Sequence, residues 1–195
     1  MEHPLVAAGR RGDLARLCGI LATGIDVDTR NSTGWTAMDL AAFNGHTACL
    51  KVLLAAGASV HSLNVFGTSS LHQAVLNGRV ACVRALIAAG SDVNFPNYVG
   101  DTPFSRALWG WNPCILKILL RAGANMHTGS AKRNQWNPSV WALVDAIREV
   151  GGWANYVARH PPATFANIVT KATRSKLPNP IPLEIATFLV PPGGF

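Results

Sequence analysis

The sequence has 195 residues, 49% hydrophobic and 14% charged, a balance that excludes an intrinsically disordered chain and suits one solenoid or one to two compact domains. No apolar run approaches the roughly 18 residues needed to span a membrane. The net charge of +7 is spread along the chain, with ten Lys/Arg against seven Asp/Glu in residues 1–127 and seven against three in residues 128–195, so the basicity reads as a solvated surface and nucleic acid is not the expected partner.

The first residues do not read as a secretory signal, because Arg10, Arg11, Asp13 and Arg16 interrupt every candidate apolar core. Residues 5–28 read as two short helices that match only the helical half of the unit that follows. From there a step of 33 residues organises the chain. Gly34, Gly67 and Gly100 keep it, as do Gly24, Gly57, Gly90 and Gly123; Ala8, Ala41, Ala74 and Ala107; Leu21, Leu54, Ile87 and Leu120; and Asn31, Asn64 and Asn97. Five series in one register define a repeat.

Each period predicts the same local structure. Thr36, Ser69 and Thr102 can cap a helix, and Pro103 suits a first helical turn. That helix ends near Gly45 or Gly78. A second helix follows, with an apolar face such as Leu50, Leu53, Leu54 or Val83, Leu86, Ile87. Gly57, Gly90 and Gly123 then sit where the chain leaves the helix in a left-handed conformation. An extended turn leads to the next glycine. In the fourth unit Trp111 stands where a glycine is expected between the helices, and Asn112-Pro113 is predicted to restart the second one.

The sequence Gly34-Trp35-Thr36-Ala37-Met38-Asp39-Leu40-Ala41-Ala42, with Gly45-His46, Val52-Leu53-Leu54 and Gly57-Ala58, resembles the ankyrin repeat. Gly67 to Asn94 and Gly100 to His127 repeat it. The resemblance implies an all-α solenoid of helix-turn-helix repeats with short hairpin loops over residues 1–127. Residues 5–28 form its N-terminal cap, and the repeats cover about 31–63, 64–96 and 97–127. Departures from the family pattern include Ala37 and Ser70 for Pro, Asp39 and Ser105 for His, and Asn for Asp at 31, 64 and 97. The resemblance also implies a module that binds another protein on the concave side of its first helices and on its hairpin tips. The concave positions here are Phe43, Leu76 and Trp109, with Leu40, Gln73 and Arg106 one turn back. The tips offer Trp35, Phe66 and Tyr98, beside Thr33, Val65 and Val99. Exposed aromatic residues gathered on one face mark an interface, and Trp, Tyr and Arg are common anchors.

The 33-residue signal stops after His127. Residues 128–139 read as a loop and residues 140–195 as a helical tail, in which Trp141, Val144, Ile147 and Trp153 are expected to cap the stack. A second reading rests on likeness: an amphipathic helix, a proline-rich strand and Ile181 to Leu189 are similar to a degenerate SOCS box or F-box-like element. That implies a substrate adaptor recruiting a ubiquitin ligase through residues 163–190. Gly151-Gly152-Trp153, Leu177-Pro178 and Phe195 also resemble the tails of ankyrin proteins of unicellular algae.

Catalytic signals are sparse. There is no glycine-rich phosphate loop, no His/Cys set with zinc spacing and no acid/base pair, so neither an enzyme nor a cofactor or metal is expected. His46 and His72 read as structural histidines. Cys18, Cys49, Cys82 and Cys114 sit in apolar helical contexts without a C-x-x-C pair, the pattern of reduced thiols, and the expected compartment is cytoplasmic or nuclear.

Overall fold

The computed structural model describes residues 3–109 and 112–125, which lie within the unit Met1–Ser130. The expected loop 128–139, the capping residues Trp141, Val144, Ile147 and Trp153, and the segment 163–190 lie outside the described residues.

Among the described residues, eight helices follow in four pairs: α1 (Pro4–Arg11) with α2 (Leu14–Leu21), α3 (Ala37–Asn44) with α4 (Thr47–Ala55), α5 (Ser70–Leu76) with α6 (Val80–Ala88), and α7 (Pro103–Trp109) with α8 (Pro113–Arg121). The first members pack side by side as one row, α1 on α3, α3 on α5 and α5 on α7; the second members form the other row. This is the all-α repeat solenoid that the 33-residue step predicts. Among the described residues, two hairpin stems each make a single antiparallel bridge, Arg30 with Thr36 and Leu63 with Ser69.

Helix starts follow the sequence signals. Thr36 and Ser69 are N-caps that form capping boxes with Asp39 and His72, satisfying amides the first turn would leave orphaned. Thr102 and Ser105 exchange bonds in the same register, the Thr102 N–H to Ser105 Oγ at 2.9 Å and the Ser105 N–H to Thr102 Oγ1 at 3.2 Å. Asn112 caps α8 by accepting from the Ile115 N–H at 3.1 Å, with Pro113 at the first helical position. The helix-ending Gly57, Gly90 and Gly123 have φ of 89°, 90° and 86°, where a Cβ would be strained.

The core lies between the two rows. Ala8, Ala41, Ala74 and Ala107 are fully buried; small side chains at this step let neighbouring first-row helices approach closely. Leu17, Leu50 and Val83 fill the space behind them, with Leu53, Leu86 and Leu119. The apolar face of the second helices is narrower than predicted: Leu54 and Ile87 are only half-buried, because they flank the inward-facing Leu53 and Leu86.

α1 and α3 meet at Gly9. A Cβ there would lie 2.5 Å from the carbonyl oxygen of Ala37 and 3.0 Å from its carbonyl carbon and Cα. In an isolated helix Gly→Ala is favourable by about 1 kcal/mol. Here backbone blocks backbone and no rotamer change relieves the overlap. Gly9→Ala is therefore expected to destabilise the unit by about 1–3 kcal/mol, the usual range for overpacking, as a lower urea midpoint at unchanged m-value. A stabilised variant would show that α1 is free to move off α3.

Candidate functional site

The hairpin tips are built on asparagine. Asn64 Oδ1 accepts from the N–H groups of Phe66 (2.9 Å) and Thr68 (3.1 Å), and Asn97 Oδ1 from those of Val99 (3.0 Å) and Asp101 (2.8 Å). Asn31 does the same for Thr33 (3.0 Å) and Trp35 (2.9 Å). The 33-step asparagine series thus fixes each tip and turns the next one or two side chains outward. The tips also lean on one another. The Tyr98 ring lies over Gly67, so close that a Cβ on Gly67 would overlap it, and Val65 lies over Gly34 in the same way. The Tyr98 N–H donates to the Phe66 carbonyl at 3.3 Å.

Between these tips and the first-row helices runs a groove of about 480 Å³. Its tip wall is Trp35, Val65, Phe66, Tyr98 and Val99; its helix wall is Phe43, Leu76 and Arg106. Trp35 and Phe43 close one end by an edge-to-face contact, ring centroids 5.8 Å apart at 71°. Phe66 is 63% exposed, Tyr98 73% and Leu76 42%.

The floor, between the two walls, is polar. His72 Nδ1 accepts from the Ser69 N–H at 3.3 Å, and His72 Nε2 lies 3.0 Å from the Asp101 carbonyl. The first bond puts the proton on Nε2, which donates it to that carbonyl. Burial is the main cause that holds the imidazole pKa down, to about 4, so His72 is neutral near pH 7. Gln73 Nε2 donates to Thr68 Oγ1 at 2.8 Å. On the helix wall, Arg106 Nε forms an ion pair with the Asp101 carboxylate at 3.1 Å. A groove walled by apolar and aromatic side chains suits burial of apolar surface.

Of the nine positions singled out in the sequence, Trp35, Phe43, Phe66, Gln73, Leu76, Tyr98 and Arg106 line this groove. Gln73 does so from the floor, buried and committed to Thr68. Leu40 is half-buried and is not among the lining residues. Trp109 ends α7, and its side chain lies outside the described residues. Sequence reading missed Thr68, His72 and Asn97 as lining residues; the asparagine series was the available signal for Asn97.

Elsewhere, among the described residues no cluster of three or more His, Cys, Asp or Glu side chains could hold a metal ion. No helix there is long and apolar enough to cross a membrane. Cys49 and Cys82 are buried, and desolvation raises both thiol pKa values, which disfavours the reactive thiolate.

Residues 5–97 and 41–130 match a family model described as ankyrin repeats, in three copies. The match ends at residue 130 and gives no support to the likeness of residues 163–190 to SOCS-box and F-box elements, or of Gly151-Gly152-Trp153, Leu177-Pro178 and Phe195 to algal tails. No curated protein matches the chain.

Proposed function

Since the chain belongs to the ankyrin-repeat family, we propose that it binds a partner protein in the groove between its hairpin tips and first-row helices. Ankyrin repeats are generally protein–protein interaction modules and typically non-enzymatic. One observation carries the choice of surface. Val65, Phe66, Leu76, Tyr98 and Val99, five of the seven large hydrophobic side chains exposed among the described residues, all line this groove. Apolar surface gathered in this way costs solvation free energy unless a partner covers it.

Proximity labelling in cells identifies the partner, and pull-down with the purified chain tests the site. Trp35→Ala, Phe43→Ala and Tyr98→Ala are each expected to weaken binding by about 1–2 kcal/mol, the cost of losing an interface anchor, with circular dichroism unchanged. Unchanged affinity in all three variants would remove the groove as the site. The pull-down also addresses the adaptor reading: an elongin- or Skp-type protein that co-purifies, and is lost on deleting residues 163–195, would assign a ligase-recruiting role to that segment.

A further inference from the structure

We infer that the second-row helices bind an acidic segment of a partner protein along a line of cations formed by Lys51, Arg84 and Lys117. The groove described above is a separate surface, since none of its lining residues belongs to α2, α4, α6 or α8. Register, charge sign and the side chains around the cations carry the inference.

Lys51, Arg84 and Lys117 keep the 33-residue step and hold the fifth position of α4, α6 and α8. α4 packs on α6 and α6 on α8. The three positions therefore fall in one line, at roughly the 8–10 Å spacing of packed helices. Lys51 and Arg84 are exposed and Lys117 is half-buried; Arg121, one turn beyond Lys117, is exposed as well.

The line has one sign. The four second-row helices carry Arg16, Lys51, Arg84, Lys117 and Arg121 and no Asp or Glu, whereas a solvated helix face commonly interleaves both signs. The six aspartates of residues 3–125 are engaged in other places. Asp13, Asp26, Asp28 and Asp92 accept from backbone N–H groups of a helix cap and of the hairpins. Asp39 and Asp101 are buried, Asp101 as the partner of Arg106. On α8 the like charges press on each other: burial lowers the Lys117 pKa, and the Arg121 charge lowers it further. A carboxylate brought to this line relieves that repulsion.

The surroundings of the cations select the class of anion. Ala48 and Ala55 flank Lys51, and Ala81 and Ala88 flank Arg84, all four exposed. Small side chains let a peptide backbone come close to the line. No aromatic residue stands on α2, α4, α6 or α8. A helix that lies on a membrane projects large apolar side chains into the lipid, and single-stranded nucleic acid stacks its bases on aromatic rings; exposed alanines supply neither. An acidic chain needs only the cations and room between them. Extended, it rises about 3.3 Å per residue, so carboxylates three residues apart recur at roughly the step of the line.

Fluorescence anisotropy of the full chain tests this with a labelled peptide that has Glu at every third position and Gly and Ser between, in about 0.15 M salt. The peptide is expected to bind, and its Gln-for-Glu counterpart to bind at least about tenfold more weakly. Lys51→Gln and Arg84→Gln should each weaken binding about threefold, and Arg11→Gln, which removes an exposed charge from α1, by less than about 1.5-fold. Phe66→Ser should leave it unchanged. Equal losses in Arg84→Gln and Arg11→Gln would reduce the effect to net charge and overturn the inference, as would failure of the peptide to bind. Peptide binding lost on Phe66→Ser would move the acidic segment to the groove and overturn it too. Phosphatidylserine vesicles or single-stranded DNA held more tightly than the peptide, and released by Lys51→Gln and Arg84→Gln, would overturn the choice of partner.

Discussion

Asp39→Ala is expected to lower the stability of the repeat unit by about 3 kcal/mol, because the Asp39 carboxylate joins two repeats. Asp39 is fully buried at the third position of α3. Its Oδ2 accepts from the N–H (2.9 Å) and the hydroxyl (3.0 Å) of Thr36, and its Oδ1 from the Ser70 hydroxyl at 2.6 Å, 31 residues away in the next repeat. Removing the carboxylate leaves donors on Thr36 and Ser70, both fully buried, at about 1–3 kcal/mol for each unsatisfied group, and about 1 kcal/mol of capping is lost besides. Relief of the cost of burying a charge offsets part of this; burial is the largest influence on Asp39 and raises its pKa. Asp39 stands where the family pattern has His, and Ser70 where it has Pro. The geometry pairs the two departures, since a proline at 70 could not donate to the carboxylate. Ser70→Ala alone should therefore cost about 1 kcal/mol, and the double variant little more than Asp39→Ala, leaving a coupling of about 1 kcal/mol. Urea unfolding of the three variants measures this. Strict additivity would mean that the two residues act independently.

Lowering the pH from 7 to 4 is expected to cost the unit roughly 3 kcal/mol through His72 alone. The unfolded chain takes up a proton on this residue near pH 6.5, whereas the folded imidazole resists it down to about 4. Burial is the main cause, and the Arg106 charge adds to it; the Asp101 carbonyl and carboxylate and the Phe95 backbone act against it. Between those two values the unfolded state binds more protons. The contribution of His72 is thus fully present above pH 6.5 and is lost as pH falls through 6.5 towards 4. Asp39 runs the other way. Its raised folded pKa makes the folded state the better proton binder, so its effect favours folding below 3.8 and is lost as pH rises through the raised value. It therefore offsets His72 only at the acid end. His72→Gln isolates the histidine, because the gap in unfolding free energy between wild type and variant should shrink by about 3 kcal/mol from pH 7 to pH 4. A gap that stays constant would show that the imidazole titrates normally in the folded chain.

Local physics made much of this protein legible in the sequence. Helix caps at Thr36, Ser69 and Asn112, left-handed glycines at 57, 90 and 123, and the alanine step at 8, 41, 74 and 107 each depend on residues within one turn or on one repeated register. A 33-residue period transmits such choices from unit to unit. The tip residues Phe66 and Tyr98 could be picked out for the same reason, since an asparagine-held turn projects whatever follows it. Contacts made across repeats were decided only by the tertiary structure. Gln73 turns down to Thr68 instead of out to solvent, and Leu40 is half-buried away from the lining of the groove. Asp39 finds Ser70, and Tyr98 covers Gly67. Sequence spacing says which residues share a position in the repeat. It does not say how far one helix pair shifts against the next, and that offset sets which side chains meet across the joint and which of them line the groove.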